Sequence, residues 1–289
     1  MFDILLYALI WGFIFGSIYL GLALGFSIIA GVLRVFHMGY GLFFTLTVYL
    51  SWTFWKVLNL NLWVALILAV IFSALSSIGL YPLIKKFLEM EDYLLISLVL
   101  VFLTTEEVIN KIYPVETGVY LPILLSQNVV YIGSIVIQMH YIFISIVSII
   151  LFAIYVLFLK FSKIGLVIRA VSQDLNTSRL FGINVNLVFA FSLGLAILAP
   201  SVVVLFYSPL TRIDPFMGFP LFITALQVAV LGGLGNLKGT FIAAYVIGYI
   251  HAVVGFLIDP RAMNLASLIA IIIILLFRPR GLARAESIW

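Results

Sequence analysis

The stretch Ser162–Asn186, SKIGLVIRAVSQDLNTSRLFGINVN, is the one long polar island in a chain that otherwise reads as membrane. It carries Lys163, Arg169, Asp174 and Arg179 among serines, a threonine and asparagines. Apolar residues recur at Ile164, Ile168, Val171 and Leu175, a spacing that lines one face of a helix. Asp174 is placed to cap a second short helix, and Gly182 to stop it in a left-handed conformation. The stretch therefore predicts helix, turn and short helix at a membrane surface. It is either a solvated connector between two spans or a docking element through which another protein moves the membrane helices.

Composition around the island sets the class. Of 289 residues, 65% are hydrophobic and 9% charged, against about 25% charged in globular domains. Apolar runs long enough for the roughly 30 Å hydrocarbon core repeat from end to end. The expected fold is an all-α polytopic membrane protein, one domain over residues 1–289, with about eight or nine transmembrane helices and glycine-broken segments. There is no cysteine, so disulfides, thiolate metal sites and a cysteine nucleophile are excluded. With Asp3 in place of a basic leader region, no cleavable signal peptide is expected.

Spans are expected at 4–30, 41–57, 62–84, 93–112, 139–160, 187–208, 219–237, 239–258 and 263–277. Alternation puts the N-terminus outside and the C-terminus in the cytoplasm. The inside then holds Arg34, Lys85, Lys86, Lys160, Lys163, Arg169, Arg179, Lys238, Arg278, Arg280 and Arg284, and the outside Lys56, Lys111, Arg212 and Arg261. Eleven against four is the bias expected of cytoplasmic loops in a cell-membrane protein. The net charge of +4 thus speaks of orientation, and no nucleic-acid partner is expected.

Two places interrupt the helical pattern. Gly31–Gly41, GVLRVFHMGYG, holds three glycines with Arg34 and His37. In the second half Asp214-Pro-Phe-Met-Gly218 precedes a span, and Leu231-Gly-Gly-Leu-Gly-Asn236 ends it. Irregular backbone at membrane depth survives only where protein or a water-filled cavity satisfies it. Broken segments in corresponding places of two halves point to a site near the midplane. The candidate translocation path is therefore His37, Gly39, Tyr40, Gly41, Pro215, Gly218, Gly232, Gly233 and Gly235. The plainer alternative is a turn at the first place and close helix packing at the glycines.

Glu106 and Glu107 are the most embedded carboxylates, and neighbours in a helix cannot share a face to form a catalytic or metal pair. Glu107 lies four residues before Lys111, the favourable order for an ion pair. In the long outer loop 113–138, Gly133-Ser134 between β-branched and aromatic residues predicts a small hairpin over Val129–Ile137.

The string Gly165, Arg169, Ala170, Asp174, followed by Leu180, Gly182 and Ile183, resembles the cytoplasmic loop of branched-chain amino-acid ABC transporter permeases of the LivH/LivM type. So do Val230–Gly235 (VLGGLG), Pro215 with Gly218, and the ending Phe277–Leu282 (FRPRGL). Gly31–Val35 matches the family's GVLRV. The chain then departs at His37, Tyr40 and Leu42, where the family has asparagine, histidine and commonly an acid; the departure bears on the solute more than on the fold.

The resemblance implies an importer permease that pairs with a second, identical or homologous, permease subunit. Two cytoplasmic ABC ATPases would meet it at the loop 162–186, with Arg169, Ala170, Asp174, Gly182 and Ile183 as coupling residues. An external substrate-binding protein would deliver branched-chain or other amino acids, or urea and short amides in family variants.

No G-x-x-x-x-G-K-[ST] run exists to cradle a nucleotide, and no H-E-x-x-H or G-x-S-x-G. The chain is expected to be no enzyme and to need no cofactor, metal or catalytic residue of its own. A self-contained ion-coupled transporter is the rival, disfavoured by the sparse buried charge a proton relay would need.

Overall fold

The structure is a computed structural model that describes residues 2–125, 127–133, 135–279 and 281–283. Its α-helices are α1 (Phe2–Val32), α2 (Leu42–Trp52), α3 (Leu62–Gly79), α4 (Tyr81–Phe87), α5 (Glu91–Ile112) and α6 (Met139–Phe161). They continue as α7 (Lys163–Gln173), α8 (Leu175–Leu180), α9 (Val185–Tyr207), α10 (Gly218–Gly232), α11 (Leu237–Leu257) and α12 (Met263–Phe277). Six described segments are long and apolar enough to cross a membrane: 5–32, 62–87, 139–161, 185–210, 237–257 and 260–277. The other three expected spans differ for physical reasons. At 22 residues α5 has the length, but it carries Glu91, Asp92, Glu106, Glu107 and Lys111. With 15 residues α10 reaches only about 22 Å at 1.5 Å per residue, and α2 gives way to a π-helical turn at Thr53–Val57.

α1 runs through the middle. Gly12 and Gly16 face Tyr249, Tyr245 and Gly248 of α11, where any Cβ would collide with the neighbour. Further along, the Ser27 and Thr240 hydroxyls pair at 2.6 Å, so α1 and α11 are antiparallel. On another side Gly21 meets Val203, and Gly25 lies against the Ala196 carbonyl of α9. Pro200 lies inside α9 and has no N–H, so that carbonyl lacks its usual helical donor. Just before it, the Tyr155 hydroxyl of α6 donates to Leu195 O at 2.6 Å and accepts from Ala199 N at 3.2 Å. A side chain is thus inserted in the α9 ladder. Thr47 of α2 joins Ser73 of α3 (2.8 Å) and Ser201 of α9 (3.0 Å) in a buried hydroxyl cluster.

These contacts sort the loops onto two ends. Where α1 stops and α9 and α11 start lie Arg34, Lys85, Lys86, Lys160, Lys163, Arg169, Arg179, Lys238 and Arg278, nine described cations. Lys56, Lys111, Arg212 and Arg261, four, lie at the opposite end. Arg280 and Arg284 lie outside the described residues. The opposite end also carries the expected hairpin, β1 (Val129–Ile132) against β2 (Ile135–Gln138), antiparallel, with Gly133 left-handed at the turn. Ile135 and Ile137 point inward and Val136 outward, the period of two that a half-buried strand requires. Glu107 and Lys111 share a depression with Glu116 there, and among the described residues no ion pair joins them.

Candidate functional site

The two interrupted regions meet, though not everywhere the sequence suggested. After α1 the chain runs through Arg34–His37 without helix and forms a short 3-10 turn at Met38–Gly41 before α2. A Cβ on Gly41 would lie 2.8 Å from Phe222 Cβ and 2.9 Å from the Gly218 carbonyl, so the first broken segment packs on the start of α10. Thr45 stands beside the same Gly218, and Gly39 faces the Leu98 carbonyl of α5. The buried Tyr40 hydroxyl donates to Leu22 O at 2.8 Å, pinning the turn to α1. Pro215 is buried at the opposite end, where Asp214 Oδ1 accepts the Phe216 amide at 2.9 Å and shapes the approach to Gly218.

His37 is fully buried beside this joint, and neither ring nitrogen has a hydrogen-bond partner. Thr45 Oγ1 and Glu106 Oε1 are likewise buried without partners. Unfilled buried donors and acceptors cost free energy unless water or a polar solute fills them. Each of the three offers a hydrogen-bonding group to water or a small polar molecule. Among the described residues no group of histidines and carboxylates could hold a metal ion.

Gly232, Gly233 and Gly235 lie elsewhere, at the positively charged end. Gly232 touches the backbone of Gly239, Gly235 that of Gly31, and Gly281 that of Gly233; Leu282 N donates to Leu231 O at 2.9 Å. With φ of +96° and +82°, Gly233 and Gly235 occupy conformations that favour glycine. This is a backbone knot tying the ends of α1, α10 and α11 to the residues after α12. Beside it opens a cavity of about 470 Å³, lined by Leu33, Arg34, Phe36, Glu91, Leu95 and Leu234 among others. That volume suits a small solute.

The polar island folds as two short helices at the same end. Ser162 caps α7 through Gly165 N (2.8 Å), and Gly165 leaves room for the Phe158 and Leu159 carbonyls. Ile168 and Val171 are buried as the periodicity requires, whereas Ile164 is half exposed on a groove shared with Leu187 and Phe191. Asp174 Oδ1 accepts from the Asn176 and Thr177 amides at 2.9 and 3.0 Å. Hydrogen bonds from Thr177, the hydroxyl first, hold its carboxyl below the ordinary range. α8 ends in paired bonds, Gly182 N to Arg179 O and Ile183 N to Ser178 O, with Gly182 at φ +79°. Arg169 is half-buried and donates to Lys160 O at 3.0 Å, closing the end of α6; Ala170 lies half-buried next to it.

A family model described as "Branched-chain amino acid transport system / permease component" matches residues 8–277. The chain belongs to this permease family. The permease is 32% identical over 130 residues to the high-affinity branched-chain amino acid transport system permease protein LivH of Escherichia coli strain K12. That alignment takes in 44% of the permease and 41% of LivH. It is 31% identical over 168 residues to the permease protein BraD of Pseudomonas aeruginosa, covering 56% of the permease and 54% of BraD. The aligned part thus spans about half the length of these curated relatives or somewhat less. No solved structure matches the permease.

Sequence reading missed four features of the bundle. Gly12-x-x-x-Gly16 and Gly21-x-x-x-Gly25 were legible as close-approach spacings. The bonds of Tyr155 and Arg34 gave no local signal, because their partners are far away in the chain.

Proposed function

We propose that the permease is a translocation subunit of an ABC importer in the cell membrane. It works with a second permease chain, two cytoplasmic ATPases and an external binding protein, and passes a small polar solute, branched-chain or other amino acids first. The observation that carries the ATP-driven reading is the α7–α8 element: a capped double helix at the positively charged end whose tip, Leu180 and Phe181, is 87% and 81% exposed. This apolar tip on an otherwise polar element is the surface a partner's groove would cover. The chain has no phosphate-cradling loop, so the driving energy comes from outside it. The nine-to-four distribution of described cations supports N-out, C-in topology.

In this mechanism, ATPase closure shifts α7–α8 and the bundle reopens to the other side. The Gly41–Gly218 joint, with His37 and Thr45, is the constriction the solute passes. Nucleotide-dependent affinity for two positions of the element supplies the bias.

Arg169 and Asp174 make internal hydrogen bonds, so replacing them disturbs the element itself. Leu180→Ser with Phe181→Ser is the cleaner test, in an assembly reconstituted with ATPases and loaded binding protein. Unchanged melting is expected, with uptake and substrate-stimulated ATP hydrolysis lost. Unchanged uptake would reduce the element to a connector.

A further inference from the structure

We infer that Arg34 is a positioning residue for transport, the strut through which the α7–α8 element moves the broken segment; this rests on the importer reading above. α1 ends at Val32, with Leu33 N still bonded to Ile29 O. Arg34 then takes φ +57°, a left-handed conformation that side chains other than glycine and asparagine rarely adopt. Glycine would satisfy this backbone without strain. The side chain supplies what glycine cannot: its Nη2 donates to Ser172 O at 2.8 Å and Gln173 O at 3.3 Å. Those are the final carbonyls of α7, left without helical donors, at the end of the helix where a cation is favoured. The next residue, Asp174, is the N-cap of α8. The guanidinium therefore grips the joint between the two helices of the polar element.

On its other side Arg34 belongs to the main chain that leads directly into His37, Gly39, Tyr40 and Gly41. Gly31 is held by the backbone of Gly235, and Gly41 by Gly218 and Phe222, so the stretch between is anchored at both ends. Of the described bonds from a side chain to the α7–α8 joint, those of Arg34 come from the segment that forms the constriction. Covalent continuity ties α7 to α6 through Ser162, but α6 does not lead into that segment. A displacement of the joint reaches the constriction through Arg34.

The test uses Arg34→Gly, Arg34→Gln and Arg34→Lys in the complete reconstituted assembly. Arg34→Gly removes the strut while relieving the backbone, so stability and transport should part company. Its melting temperature should equal or exceed that of the wild type, while uptake and substrate stimulation of ATP hydrolysis fall by about tenfold or more, the scale of an ordinary coupling free energy. Arg34→Gln should lose uptake similarly. Arg34→Lys keeps the charge at the end of α7 without the planar fork, and should recover part of the uptake. Wild-type uptake by Arg34→Gly would overturn the strut. So would uptake that merely follows melting temperature across the three variants. Failure of the wild-type assembly to import any amino acid would instead strike the importer reading itself.

Discussion

Helix α1 and the segment 260–277 that ends in α12 have the same mean hydropathy, 2.1 over their most apolar window, yet 78% of that window is buried in α1 and 11% in the other. The contrast with α6 is sharper, since its hydropathy of 3.0 goes with 28% burial. Apolarity therefore does not decide which helix is central. Lipid tails are as apolar as leucine, so removing a leucine from lipid gains little. What α1 has is Gly12, Gly16, Gly21 and Gly25, which let the α9 and α11 backbones approach, and Ser17 and Ser27, which bond to α11. α12 has no glycine, and Ser267 and Ile271 are its buried residues. Most of its other leucines and isoleucines, Leu265, Leu268, Ile269, Ile272, Ile273 and Leu276, face outward. The outer helices are fastened by sparse polar contacts instead: Tyr155 of α6 to the α9 backbone, and Ser267 of α12 to Gln227 and His251.

The largest expected effect breaks the contrast at its centre. Gly25→Leu puts a side chain where the Ala196 carbonyl already lies, and backbone cannot step aside as a flexible side chain can. Overpacking costs about 1–3 kcal/mol in ordinary cores, and a clash with backbone belongs at the top of that range or above it. Membrane insertion should persist while the detergent-solubilised protein loses its cooperative melting transition or its monodisperse elution. A wild-type melting curve would mean that α1 is not central.

A middle-sized effect is expected from Tyr155→Phe. It removes the hydroxyl that bridges Leu195 O and Ala199 N while keeping the ring. Interhelical hydrogen bonds in membranes contribute about 0.6 kcal/mol, up to about 1.7. Faster hydrogen exchange is expected at the Ala199 amide than at Val203 and Val204, with a small drop in melting temperature. Uniform exchange along α9 would remove Tyr155 from the ladder.

The smallest effect is the sharpest control. Ile272→Leu on the exposed side of α12 should leave melting and uptake unchanged, because lipid accepts either side chain equally well. A marked loss of either would reveal a protein partner on that face.

The local parts of this molecule are legible in its sequence alone. Ser162–Asn186 reads as a helix followed by a capped short helix because a cap, a left-handed glycine and a spacing of three and four are properties of neighbours in the chain. The hairpin at Gly133 was legible for the same reason. The candidate site was legible as two broken segments, and Gly41 and Gly218 do meet. The sequence groups the glycines of Leu231–Asn236 with them, yet these form the knot at the charged end. Glycine spacing signals a close approach without saying to what.

What the sequence by itself determined, then, is the membrane class, the asymmetry of charge between the two ends and the local shape of the polar element. Only the tertiary structure decided that α1 is central, that His37 is sealed in without partners and that Arg34 reaches the end of α7. The physical reason is that hydropathy measures transfer out of water, which every span satisfies alike. The choice among partners inside the membrane rests on backbone approach and single hydrogen bonds between residues far apart in the chain.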